Sequence, residues 1–238
     1  MTTATATVGR PRTWQAPRPG PVSKTEVVHY SEAAELAQLE NLLRSLADVA
    51  YAPLAAPLRE ALASSQDRRR ARVALAVGRA YHVPANHRLA LAAALETLYV
   101  ASQVHDVLVN RTALNGSAGA LVLMGDHLYA QAAAFAAQAE SPAIVALFAR
   151  TLQRLSEHGV RQQLNAPTTL AVSIHALLCG AAAEGAARLG NADADDVEAL
   201  RQAGLAADHP QAGRAALDRV RHPAARRALE ALLVPKGS

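Results

Sequence analysis

From Asn86 to Asn110 the chain reads NHRLALAAALETLYVASQVHDVLVN, with no proline, no glycine and apolar side chains on most faces of any helix drawn through it. A helix that is apolar nearly all round has to be enclosed by other elements. This segment therefore predicts a central helix with the rest of the chain packed around it. The composition agrees. Hydrophobic residues make up 51% of the sequence but aromatics only 3%, and the supply is dominated by alanine. Alanine, leucine and valine pack closely spaced helices, and alanine is the strongest helix former. No strand alternation and no short-period repeat is found. The expected fold class is all-α, and 238 residues suffice for one substantial domain.

Helical periodicity begins at Ser31, with Leu36, Leu39, Leu42, Leu43 and Leu46 on one stripe, and Pro53 and Pro57 break or kink that first run. RRRARVALAVGRAYHV is a second helix, ended by Pro84, and the central helix is the third. A Gly-rich loop, LNGSAG, precedes a fourth from about Leu121 to Glu140. Ser141-Pro142 starts the next, since proline suits a first helical turn. Beyond the break at NAPTT, TLAVSIHALLCGAAAEGAARLG is another buried, alanine-rich helix. NADADDVEALRQAGLAA reads as a polar helix capped by Asp193 or Asp195. After DHPQAG a final Arg-rich helix, interrupted at Pro223, runs to Leu233.

Charge and cysteine content exclude several function classes. Arg10, Arg12, Arg18 and Lys24 against Glu26 give residues 1–30 a net +3, which leaves +1 of the total +4 for the remainder. A near-neutral body with few aromatics argues against a nucleic-acid face. The single Cys179 forms no internal disulfide and fits a reducing, cytoplasmic setting. No apolar run reaches the roughly 20 uninterrupted residues of a membrane span. Residues 1–24 lack the apolar core of a secretory signal. Their Thr/Arg content is shared with transit peptides, and the Pro/Gly cluster APRPGP points to a disordered leader ahead of a helical domain over 25–238.

Lysine occurs only at Lys24 and Lys236, so Schiff-base chemistry is excluded from the folded body. No P-loop, dinucleotide fingerprint, nucleophile elbow or CxxC pair is present. The acids of ADADD are explained by helix capping. Glu96 and the His105-Asp106 pair remain, set into the apolar central helix, and a buried carboxylate has to be paired or to hold a metal. In the following helix Gly125-Asp126 again sets one acid among hydrophobes.

Taken in order, AAALETLYVASQVHD and LVLMGDHLYAQA resemble the AAALELLHTASLVHDDVID and AVLLGDYLLARA helices of the polyprenyl synthetase family, the trans-prenyl diphosphate synthases. EHGVRQQL and HALLCGAAAEGAARLG resemble two later helices, EGELLQL and ASLFAAAAELGALLAG. The likeness covers about Leu36 to Leu205. It implies an isoprenoid-synthase-type helical bundle, shortened at its C-terminal end. His105 is then a helix-packing residue.

The departures fall on the family's chemistry. Its first aspartate-rich motif, DDxxD, which holds magnesium against the allylic diphosphate, aligns with Asp106, Val107, Leu108, Val109 and Asn110. Valine ligates nothing, and magnesium beside a phosphate needs more than one carboxylate. Asp106 and Asn110 are thus vestigial, and no metal site and no catalytic residue is expected in this chain. The GGKRLRP loop aligns with SQDRRRARV, keeping arginines but neither the glycines nor the lysine. The arginine pair after the first motif is reduced to Arg111, and the family's Lys-Thr falls on Ser173-Ile174. The second aspartate motif is absent from LAADHPQAGRAALDRV.

The resemblance implies a chain inactive alone: a non-catalytic subunit of a heteromeric long-chain polyprenyl diphosphate synthase, serving for instance a quinone tail. Magnesium would then belong to the catalytic partner, and isoprenoid diphosphates are possible ligands. Small residues one turn before Asp106, Ala101 and Ser102, would leave a product tunnel open. A second reading keeps diphosphate binding or residual activity at Asp106 and Asp126 with Arg111 and the arginines Arg68, Arg69, Arg70 and Arg72, for hydrolysis or one metal-assisted step; Asp106, Arg111, Arg69 and Arg72 are its main candidates. A third is a helical binding module unrelated to isoprenoids.

Overall fold

The structure, a computed structural model, describes residues 31–48, 52–64, 67–110, 118–164, 166–167 and 172–233. Among these the chain is helical: α1 (Glu32–Asp48), α2 (Ala52–Ser64), α3 (Arg69–Ala80), α4 (Ala85–Asn110), α5 (Ala118–Gln138), α6 (Pro142–Gln163), α7 (Ile174–Leu189), α8 (Ala194–Leu205), α9 (Pro210–Leu217) and α10 (Pro223–Leu233). No described helix is long and apolar enough to cross a membrane. Residues 1–24, read as a leader, lie outside the described residues.

α4 occupies the centre, packed against α3, α5 and α7 and touched by α1, α2 and α6. Every residue from Ala90 to Leu98 is buried, as an all-round apolar helix requires. Small side chains set the spacing: Ala92 and Ala93 on α4 and Ala182, Ala183, Ala186 and Ala187 on α7 have no exposed surface. The stripe expected on α1 is present, with Leu39, Leu43 and Leu46 buried and Leu36 and Leu42 half-buried at its margins.

Three boundaries depart from the sequence expectation. Pro53 stands in the first turn of α2, where a missing N–H costs nothing, and Pro57 is carried inside that helix rather than ending it. α7 begins at Ile174 because Ser173 caps it, its hydroxyl oxygen accepting from the Ala176 amide at 3.0 Å. Pro210 opens α9 inside DHPQAG, expected as a break, while the interruption expected at Pro223 is present, with that proline in the first turn of α10. Between the two caps expected for α8, Asp193 is the one used. Asp196 is instead buried and accepts from the Tyr81 hydroxyl at 2.8 Å and the Arg221 amide at 2.7 Å, tying the end of α3 to the entry of α10.

Buried ion pairs hold the frame. Glu35, 1% exposed, takes Arg79 at 2.6 Å and Arg88, joining α1 to α3 and α4. Glu96, with no exposed surface, accepts from Arg70 at 2.9 Å and from the Ala71 amide at 3.0 Å, with Arg68 at 3.9 Å. The choice left open for Glu96 is settled here as pairing.

Candidate functional site

The polar residues at the far end of α4 meet α5 and α6. Gly125 lets α5 approach closely enough for the His105 ring to lie over it, and a Cβ at 125 would collide with that ring. The ring stacks on Tyr129, one turn along α5, with centroids 5.0 Å apart and planes 20° from parallel. Its Nε2 is buried, has no hydrogen-bond partner and lies 3.8 Å from Asp126, beyond hydrogen-bond reach. His105 thus packs as expected but is not hydrogen-bonded through Nε2.

Asp106 is half-buried, with the Gln103 amide at 3.5 Å. Burial raises its carboxyl above the usual range, against the opposing pull of His158 on α6 and His105. Tyr129 feels the same group of acids: burial first, then Asp106 and Asp126, push its hydroxyl up to about 12. An acid whose folded pKa is raised binds a proton more readily folded than unfolded. Ionising it therefore costs stability as pH rises through the folded value. Asp106→Asn is accordingly expected to leave the melting temperature unchanged or higher at pH 7, with the difference from wild type vanishing below about pH 4, the unperturbed aspartate range. Thermal melts at the two pH values check this; a loss of stability at pH 7 would mark Asp106 as a structural anion.

The arginines of RRRAR go to different neighbours. Arg68 binds Glu40 at 2.6 Å and the Leu62 carbonyl at 2.9 Å. Arg70, 2% exposed, bonds Glu96, lies 3.7 Å above the Tyr99 ring and donates to His175 Nδ1 at 2.8 Å. Because a guanidinium only donates, that nitrogen of His175 is the acceptor and the ring proton sits on Nε2, 3.6 Å from the Cys179 sulfur. Burial and the two neighbouring arginines hold His175 below its ordinary pKa. Arg72 pairs with Glu32 on α1 at 3.1 Å, and Arg69 lies 3.7 Å from Asp67.

Arg72 is thus set against α1 and Arg69 beside Asp67 ahead of α3, whereas Asp106 faces α5 and α6. Arg111 lies outside the described residues, as do the side chains of Val107, Leu108, Val109 and Asn110. Ala101 is fully buried in the core cluster and Ser102 nearly so, its hydroxyl donating to the Tyr99 carbonyl at 2.7 Å. Sequence reasoning missed Tyr129 and His158. Tyr129 was legible as the residue one turn beyond Gly125 on the face toward α4, but nothing in the sequence marked His158.

A magnesium cluster of the kind implied by the resemblance does not fit these residues. Asp106 supplies one carboxylate, Val107 and Val109 have no donor atoms, and no group of three or more His, Cys, Asp or Glu side chains placed to hold a metal occurs among the described residues.

No family model matches the sequence, and no curated protein does. Solved structures do match. A decaprenyl diphosphate synthase from Rhodobacter capsulatus superposes with a TM-score of 0.61 at 27% identity, over 74% of this chain and 60% of its own. A polyprenyl synthase from Caulobacter crescentus, solved with calcium and isoprenyl diphosphate, gives 0.60 at 26% identity, over 74% and 59%. The geranyl diphosphate synthase small subunit of Antirrhinum majus gives 0.53 at 17% identity, over 84% and 89%. This chain therefore spans about three fifths of the length of the first two. The all-helical isoprenoid-synthase fold and a family-level resemblance to prenyl diphosphate synthases are the common finding.

Proposed function

We propose that this chain is a non-catalytic subunit of a heteromeric prenyl diphosphate synthase, acting in the cytoplasm beside a catalytic chain that supplies the magnesium site. The observation that carries the proposal is the fold kept around an emptied donor set. The helices stand in the family's order, yet Asp106 is followed by valine, and Arg68, Arg70 and Arg72 are engaged by Glu40, Glu96 and Glu32. Metal-assisted departure of a diphosphate requires several hard oxygen ligands in one place. Asp106 alone does not meet that need.

An assembly role is supported by the surface of α5 and α6. Leu123 is 66% exposed, Val122 42%, Val145 46% and Val160 58%. Large apolar side chains left exposed on neighbouring helices favour a protein interface. The same fold in a plant chain described as a small subunit is in keeping with this role. The partner would be a prenyl diphosphate synthase with both aspartate motifs intact, and the product a long isoprenoid chain whose length the complex helps to set.

Co-expression with such a synthase from the same organism tests the reading. A stable complex should form, and its product chain length or rate should differ from that of the synthase alone. Leu123→Asp should weaken the complex by about 10-fold or more, since it places a charge in an apolar interface. Co-purification failing together with unchanged product length would contradict the proposal and favour an unrelated helical module.

A further inference from the structure

A groove of about 740 Å³ opens between α6, α7 and α8, with no lining residue from α4 or α5. It is thus separate from the Asp106 end of the bundle, and its size falls within the roughly 300–1,000 Å³ of small-molecule sites. Its floor is apolar, formed by Leu147, Leu177, Val197 and Leu205. Its rim is cationic. Arg150, Arg154, Arg188 and Arg201 face Glu184 and Glu198, leaving an excess of two positive charges.

The two acids act as braces for the arginines. Glu184, 7% exposed, takes the Arg188 Nε at 2.8 Å and Arg150 at 3.5 Å. Glu198 takes Arg201 through two bonds of 2.8 and 2.6 Å. Those arginine bonds hold Glu198 down to about 2, so it stays ionised and does not release its partner near neutral pH. Arg154, one turn from Arg150 on the same helix, makes no ion pair among the described residues. A guanidinium has five N–H donors in a fixed fork. The braced arginines use one or two each in these contacts, and the remainder are available to a ligand.

We infer that this groove binds a phosphate monoester bearing a short apolar body, the phosphate between Arg150 and Arg154 and the body on the leucine floor. A dianionic phosphate matches the excess of two charges, and its oxygens suit the guanidinium fork. The lining includes no aromatic ring on which a nucleobase would stack.

Titration calorimetry with octyl phosphate, inorganic phosphate and octanol tests the assignment. Octyl phosphate below its aggregation concentration should bind once per chain, about 10-fold or more tighter than inorganic phosphate, because the alkyl chain leaves water. Arg150→Ala/Arg154→Ala should weaken it by about 10-fold or more through lost charge-assisted bonds. Arg214→Ala/Arg227→Ala, which removes two exposed arginines outside the groove, should not, and melts should show both variants folded. Vesicles with phosphatidic acid distinguish the source. Binding abolished by Arg150→Ala/Arg154→Ala assigns the groove to a lipid headgroup, and binding of the monomer alone assigns it to a free phosphomonoester. No saturable binding, equal affinity for inorganic phosphate, or equal loss in the control variant would overturn the inference. So would binding of a glutamate-rich helical peptide in place of octyl phosphate.

Discussion

Glu96→Ala is expected to remove about 3–5 kcal/mol of folding stability, the cost of leaving a buried charge without its partner. Glu96 has no exposed surface, and it accepts from Arg70, itself 2% exposed, and from the Ala71 amide at the start of α3. Deleting the carboxylate takes the counter-charge from a guanidinium in an alanine-rich interior and the acceptor from an amide in the first turn of a helix. Against a typical total of about 5–15 kcal/mol, the urea midpoint should fall by about a fifth or more. Glu96→Gln keeps an oxygen for the Ala71 amide and should fall between wild type and alanine. Glu96→Ala/Arg70→Met should recover part of the loss, since a buried pair exchanged for apolar groups is often neutral. Equal stabilities of wild type and Glu96→Ala in urea would mean that the pair does not organise the core.

Gly204→Ala is expected to cost about 1–3 kcal/mol or more, as overpacking does where nothing can move aside. A Cβ at position 204 would stand 2.5 Å from the Cys179 carbonyl oxygen and 2.7 Å from the Gly180 Cα. Both obstacles are backbone of α7, so relief requires the two helices to separate. Gly213, whose Cβ would lie 3.6 Å from its nearest neighbour, is the control. Gly213→Ala should be neutral or mildly stabilising, because alanine is the better helix former. Denaturant melts of the two variants compare a close helix crossing with an open one, and similar losses would contradict the crossing geometry.

Much of this fold was legible because its signals are local. The apolar run of α4, the stripe on α1 and the start at Ser141-Pro142 each follow from side chains within a few turns of one another. The expectation that Glu96 must be paired was equally sound, yet the partner was not readable. Arg68, Arg69, Arg70 and Arg72 look alike in sequence, and only the rotation of α3 against α4 turns Arg70 inward and Arg72 toward Glu32. The helix starts at Ile174 and Pro210 went astray for a related reason. Alanine-rich sequence continues a helix pattern through a boundary, and a single cap or proline decides where the element begins.

At the candidate site, the lack of donor atoms at Val107 and Val109 was legible because valine has no ligating atom in any conformation. What surrounds Asp106 was not, since His158 arrives from α6 through tertiary packing alone. The arginine-rimmed groove was hidden for the same reason, as Arg150, Arg188 and Arg201 belong to three helices that the sequence separates.

The central claim is that the isoprenoid-synthase frame is present here without its own metal-dependent chemistry. Its most direct test is a turnover assay on the purified chain, given an allylic diphosphate, isopentenyl diphosphate and magnesium, with and without a catalytic prenyl synthase. The account predicts no chain elongation by this protein alone and an altered rate or product length when the catalytic chain is added. Magnesium-dependent elongation by this chain alone, abolished by Asp106→Ala, would contradict it.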